Sequence, residues 1–149
     1  MQIKICADAF DPWQELQAYQ ATRLNAAIQF GATNIFIGTM RDFNEGNDVR
    51  SMMLAYYPGM TEKQLEKIIA DAGQRWQIID AYIVHRVGDI RPEDTIVLVS
   101  VWSVHRGDAF DACRFIMEAL KSTAPFWKQE VLRDGQIRWV EKNTDGYKT

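Results

Sequence analysis

Apolar residues along this chain recur with two different periods, and the switches between them mark out the elements. Ile3 and Ile5 alternate with polar neighbours, which predicts a short half-buried strand over residues 2–6. Asp11-Pro12 then predicts a helix start: Asp11 can cap free N–H groups, Pro12 suits the first helical position, and Gln14 stands at capping-box spacing before Leu16 and Tyr19. Gly31 closes that section. Residues 32–40 read as a second strand, with Ile35 and Ile37 on one face and Asn34 and Phe36 on the other. The stretch 42–48, rich in Asp, Asn and Gly, predicts the polar loop of a wide hairpin returning to a strand at 51–57.

Beyond the Pro58-Gly59 turn the period changes to that of a helix. Leu65, Ile68, Ile69, Ala72 and Trp76 form one stripe, and Thr61 with Gln64 supplies a capping box ahead of it. Residues 81–87 and 95–104 predict two strands separated by a turn-rich connection at 88–94, the second apolar enough to be central. Asp108 is the expected cap of a third helix, whose buried stripe of Ala109, Ala112, Cys113, Ile116 and Leu120 ends at Lys121. Pro125 cannot continue that helix and pushes Ala124 toward extended geometry. Residues 128–132 and 137–140 flank Asp134-Gly135, a strong hairpin signal. Strands come in adjacent pairs, so antiparallel pairing is expected and a doubly wound nucleotide-binding sheet is not. The fold class that follows is α+β, in one domain over residues 1–142 with a polar tail at 143–149.

Composition narrows the function. At 149 residues, 47% hydrophobic and 25% charged, the chain has the mixture of a globular protein with a real core. No apolar run approaches the roughly 20 residues of a membrane span, and the N-terminus lacks a signal-peptide plan, so a cytoplasmic protein without membrane association is expected. A net charge of −3 argues against general nucleic-acid binding. Cys6 and Cys113 lack the spacing of zinc or redox sites, and Asp, Glu and His do not cluster at metal-ligand spacing; no metal is expected. Neither Gly-x-Gly-x-x-Gly nor Gly-Lys-Ser/Thr occurs, so no nucleotide cofactor is expected.

What chemistry remains is cationic and local. Arg41, His85-Arg86, His105-Arg106 and the pair Lys121 and Lys128 all fall at ends of predicted elements. Arg offers a planar fork to phosphate, and a crowded or desolvated Lys can serve as nucleophile or proton donor. The set suggests a pocket for a phosphorylated small molecule. Between the two lysines stands Pro125-Phe126-Trp127, whose rings are expected to anchor the segment against a core and hold both lysines on a fixed corner, with Lys121 at an exposed helix end. Each basic residue taken alone also reads as ordinary solvated surface. Ser103 and His105 share one strand face, but no nucleophile elbow accompanies them, which leaves a serine-hydrolase reading weak. A non-enzymatic module that binds a phosphorylated metabolite and an unrelated lysine-dependent transferase stay open on these residues.

Taken together, Phe36-Ile-Gly-Thr-Met-Arg41, Tyr57-Pro-Gly-Met-Thr61, His85-Arg-Val-Gly88, Ser103-Val-His-Arg106, Lys121-Ser-Thr-Ala-Pro-Phe-Trp-Lys128 and Arg138-Trp-Val-Glu141 resemble, in order and spacing, the large, catalytic subunit of molybdopterin synthase. The resemblance implies an α/β-hammerhead-like fold with an additional antiparallel sheet. It implies a sulfurtransferase of molybdenum cofactor biosynthesis, which converts cyclic pyranopterin monophosphate into molybdopterin by installing the dithiolene sulfurs. A small ubiquitin-like carrier brings the sulfur as a thiocarboxylate on its C-terminal Gly-Gly, and two large subunits form the homodimer core of a heterotetramer. By the same resemblance Lys121 and Lys128 are the catalytic lysines, and Thr39, Met40, Arg41, His105, Arg106, Gln129 and Glu130 match substrate-binding positions. Some members carry Lys where Thr39 stands and Arg where Gln129 stands, so this chain has fewer positive charges at the pocket edge. Sulfur is expected on the carrier, not on this chain: Cys113 falls on an apolar stripe, and Cys6 has only Lys4 nearby to lower its pKa.

Overall fold

The computed structural model describes residues 1–24, 29–44 and 46–140. In chain order these form β1 (Gln2–Cys6), α1 (Pro12–Arg23), β2 (Ala32–Thr39), β3 (Phe43–Asn44), β4 (Asn47–Tyr56), α2 (Met60–Arg75), β5 (Ile78–Arg86), β6 (Gly88–Ile90), β7 (Thr95–Ser103), α3 (Arg106–Thr123), β8 (Phe126–Leu132) and β9 (Ile137–Val140). Two sheets result. The first has the order β1-β5-β7-β2 and is antiparallel except for the β1–β5 pair; the second runs β3-β4-β8-β9, with β6 also paired to β4. This is the expected α+β class with an added antiparallel sheet. The tail expected over 143–149, with Glu141, lies outside the described residues.

Strands β5 and β7 are central and apolar on both faces, because both faces are covered. Ala81, Ile83, Val97, Val99 and Val101 meet the stripes of α2 and α3, including Leu65, Ile68, Ile69, Ala112, Cys113, Ile116 and Leu120. Tyr82, Val84, Leu98 and Trp102 point the other way, onto Tyr19 of α1 and Leu24. A third cluster of Met40, Val49, Met52, Leu54, Ile90 and Leu132 fills the second sheet. Ile96 and Phe126 pack against both this cluster and the α2–α3 core, joining the two sheets.

Several local expectations change. The wide hairpin between β2 and the strand after it does not form: β2 pairs with β7 at the edge of the first sheet, and β4 pairs with β8 in the other sheet. The return is instead a tight β3–β4 hairpin, in which Gly46 takes the positive φ of +80° that glycine accommodates best. The connection at 88–94 holds β6, which crosses from the end of β5 to pair with β4. Asp11 caps α1 as expected, accepting the N–H groups of Trp13 and Gln14. Thr61 is no cap: α2 starts at Met60, the Glu62 carboxylate accepts the Gly59 N–H, and Thr61 is buried. Asp108 lies within the first turn of α3, since His105 is the N-cap and Arg106 is already helical. The same helix runs past Lys121 to Thr123, and Ala124 then turns extended before Pro125 (φ −72°, ψ 134°).

Candidate active site

The corner between α3 and β8 is held by hydrogen bonds that no sequence pattern advertises. The Thr61 hydroxyl donates to the Pro125 carbonyl (3.1 Å) and accepts the Tyr57 N–H (3.1 Å), while the Phe126 N–H returns to the Ala124 carbonyl (2.9 Å). This staple fixes the chain between the two lysines. Lys121 follows Met117 by four residues, so it sits at the edge of the buried α3 stripe. Alternation along β8 puts Phe126, Lys128, Glu130 and Leu132 on one face, and the register sets Lys128 opposite Leu54 and Glu130 opposite Met52. The two lysines therefore converge on one small cleft that opens to solvent, lined also by Met52, Leu54, His85, Ile96, Leu120, Ala124, Phe126 and Val140.

Apolar walls dominate the electrostatics. Burial, with the charge of Lys128 added, lowers the Lys121 pKa to about 8. Lys128 is lowered as well, first by burial; Glu130 opposes the shift and Arg41 adds to it. Lys121 is thus half-buried, not the exposed helix-end residue that the sequence suggests. Glu130 is buried at 4% exposure and accepts from Arg138 Nε at 3.0 Å, which compensates its charge inside the sheet.

The other expected site residues divide into two groups. Arg41 is exposed, near enough to Lys128 to depress it, and follows Met40, whose N–H and carbonyl are tied to Asp94 and Glu93 of the β6–β7 turn. The slip in β2–β7 register at Gly38/Thr39 bends the chain toward that position. Met40 itself is buried in the second-sheet core and Thr39 is exposed at the strand end, so neither lines the cleft. His105 and Arg106 are exposed at the opposite end of α3. At 1.5 Å of rise per residue, Arg106 and Lys121 are separated by roughly 22 Å along the helix. One chain does not bring its own His105 and Arg106 to its lysines, which corrects the single-pocket reading of the basic clusters. Gln129, another expected binding position, shares the outer face of β8 with Trp127, away from Lys128. Of the two expected anchors, only Phe126 packs inward, stacked on His85; Trp127 is 38% exposed and meets Tyr57 edge-on. Ser103 donates its hydroxyl to the Gln77 carbonyl, leaving no serine–histidine pair for hydrolysis.

With this geometry in place, the sequence profile of the MoaE protein family matches residues 7–123. The chain belongs to the MoaE family. Among its relatives is the molybdopterin synthase catalytic subunit of Ralstonia nicotianae, 53% identical over 139 residues, or 93% of this chain and 76% of the relative. The protein of the same name from Pseudomonas aeruginosa is 50% identical, covering 95% of this chain and 91% of its own. The solved structure of the molybdopterin biosynthesis MoaE protein from Burkholderia ambifaria superposes with a TM-score of 0.78 at 49% identity, covering 97% of this chain and 92% of that one.

Two residues of the candidate site escape a reading of spacing alone. His85 belongs to a basic strand-end cluster, but only the register of β5 against β7 shows that it turns inward beneath Phe126 while Arg86 turns away. Thr61 resembles a helix cap, and its bond to Pro125 joins residues 64 apart. Among the described residues no cluster of His, Cys, Asp and Glu could hold a metal ion, and no helix is long and apolar enough to cross a membrane.

Proposed function

We propose that this chain is the catalytic subunit of a molybdopterin synthase. It takes sulfur from the thiocarboxylated C-terminus of a small ubiquitin-like carrier and places it on cyclic pyranopterin monophosphate, forming the dithiolene of molybdopterin. The observation that carries the chemical part is the pair Lys121 and Lys128, drawn into one apolar cleft within a family whose relatives bear that enzyme's name.

A thiocarboxylate is a good sulfur nucleophile, so the protein must activate the pterin side and manage protons. Sulfur attacks a pterin carbon, the carbon–oxygen bond there breaks, and the departing oxygen takes a proton. The carrier's acyl–sulfur bond then breaks as water takes the acyl group, directly or after the Lys121 amine has held it, and the carrier leaves as a carboxylate. With its pKa near 8, Lys121 is roughly one-tenth amine at pH 7 and supplies both donor and acceptor forms. Lys128 and Arg41 provide the fixed positive field for developing oxyanions and the phosphate. Each carrier brings one sulfur, so two carriers serve one pterin.

Because His105 and Arg106 lie far from Lys121 along α3, they can serve the same site only if a second copy supplies them. A homodimer that sets the α3 N-terminus of one copy at the lysine cleft of the other lets all the cationic residues act on one phosphate. The working unit is residues 1–142. Its cysteines are unpaired thiols, which fits a reducing compartment, and we place the reaction in the cytoplasm. The test combines the chain with thiocarboxylated carrier and the cyclic pterin and measures dithiolene. Product formed only with all three supports the reading, whereas tight pterin binding without product returns the chain to the class of binding modules.

A further inference from the structure

His85 is 2% exposed, yet its imidazole has one hydrogen bond among the described residues: Nδ1 lies 2.8 Å from the Arg86 carbonyl. A carbonyl can only accept, so Nδ1 carries the proton and Nε2 is a bare lone pair. The ring lies flat on Phe126, with centroids 4.1 Å apart and planes at 17°, and Nδ1 faces its own backbone. Its distal tip is what reaches the cleft that His85 lines with Lys121 and Lys128. Burial and the two lysine charges hold the imidazole down to about 3, so it remains neutral at any working pH and accepts but does not donate at Nε2. The charged groups around it are Lys121 on α3, Lys128 and Glu130 on β8, Arg138 on β9 bonded to Glu130, and Arg41 beyond β2. Arg86 points away, donating to the carbonyls of Ala7 and Asp89.

Among the described residues the side-chain atoms buried without a hydrogen-bond partner are Arg86 Nη1 and Ser100 Oγ, so Nε2, which has no partner there either, opens onto the cleft that His85 lines, as an acceptor that a ligand's N–H can complete. Around it the cleft is walled by Met52, Leu54, Leu120, Phe126 and Val140, whose side chains offer Nε2 no N–H or O–H donor. It suits an extended chain without side chains, whose peptide N–H groups need acceptors once they leave water. We propose that His85 Nε2 accepts a peptide N–H of the carrier's C-terminal Gly-Gly segment and so sets how deeply the thiocarboxylate advances toward Lys121. His85 is then a positioning residue. The inference rests on the function proposed above, but its test needs no turnover.

The experiment is a binding cycle by calorimetry with the carrier in its carboxylate form, intact or lacking the two terminal glycines, against the wild type, His85→Phe and His85→Gln. Phe keeps the stack on Phe126 and removes the acceptor; Gln keeps a side-chain oxygen. Intact carrier is expected to bind His85→Phe about tenfold more weakly, His85→Gln to recover part of the loss, and the shortened carrier to bind all three chains alike. Equal weakening for intact and shortened carrier would make His85 a packing residue only, and undiminished binding of intact carrier to His85→Phe would also overturn the proposal. If His85→Phe does not fold, His85→Gln against the two carriers decides: a loss confined to the intact carrier supports the contact, and no such difference removes it. Absence of carrier binding to the wild type would instead sink the proposed function itself.

Discussion

Lys121 presents a conflict between stability and chemistry that can be measured. Its pKa falls from the ordinary 10.5 to about 8, chiefly by burial, which at 1.36 kcal/mol per decade corresponds to about 3 kcal/mol of unfavourable charge at neutral pH. Part of the side chain remains in water, and solvent relieves some of that cost, so about 1–2 kcal/mol is the expected share. Lys121→Met keeps an unbranched, helix-compatible stem and removes the charge. The variant is expected to lose dithiolene formation and to gain about 1–2 kcal/mol of stability in urea at pH 7. The gain must also depend on pH with a definite sign. Since the folded pKa lies below the unfolded one, the unfolded chain binds more protons between pH 8 and 10.5, and wild-type stability rises across that window. The advantage of Met is therefore full below pH 8 and gone above 10.5. A variant no more stable than wild type at pH 7, or one equally stabilised at pH 7 and 10.5, would refute the desolvation argument.

Two further predictions concern the site's composition. Arg41→Ala and Arg106→Ala should each weaken pterin binding by fluorescence titration, and mixing Arg106→Ala with Lys121→Ala subunits should restore turnover, because a mixed dimer regenerates one site with all its cations; no restoration would place both residues in the same chain's site. A Cys6→Ser, Cys113→Ala double variant should still form dithiolene with thiocarboxylated carrier, losing about 1–2 kcal/mol of stability from the core change; a folded but inactive double variant would move sulfur handling onto this chain. The structure favours the first outcome, since burial pushes the Cys113 thiol up to about 12 and Cys6 is raised as well despite Lys4 and Arg86.

Much of the fold was legible because its signals are local. The stripe from Leu65 to Ala72, the Asp134-Gly135 hairpin and the halt at Pro125 each depend on residues within a few positions of one another. Strand partners do not. Nothing between residues 40 and 51 states that β4 will leave β2 for β8, a choice made by Met52 and Leu54 finding Glu130 and Lys128 across the second sheet. The candidate site divides along the same line. Lys121 and Lys128 are close in sequence and meet in space, while His105 and Arg106 also stand at strand and helix ends, but at the far end of an 18-residue helix. Spacing along the chain picks out basic residues at element ends as candidates, and only the direction of α3 shows that one copy cannot assemble them all.

That direction also explains why the lysines lie where two cores meet. Phe126 and Ile96 belong at once to the α2–α3 core and to the second-sheet core, and the cleft opens along this seam. A seam has apolar walls without close packing across it, so it can desolvate a lysine and still admit a ligand. Lys121 arrives from the α3 end and Lys128 from the start of β8, with Pro125 forcing the change of direction and Thr61 pinning its carbonyl. The fold's connection and the candidate site are thus the same few residues. The charge penalty at Lys121 follows from placing it at the joint between the sheets, and the lowered pKa that makes it a usable acid and base at neutral pH has that same origin.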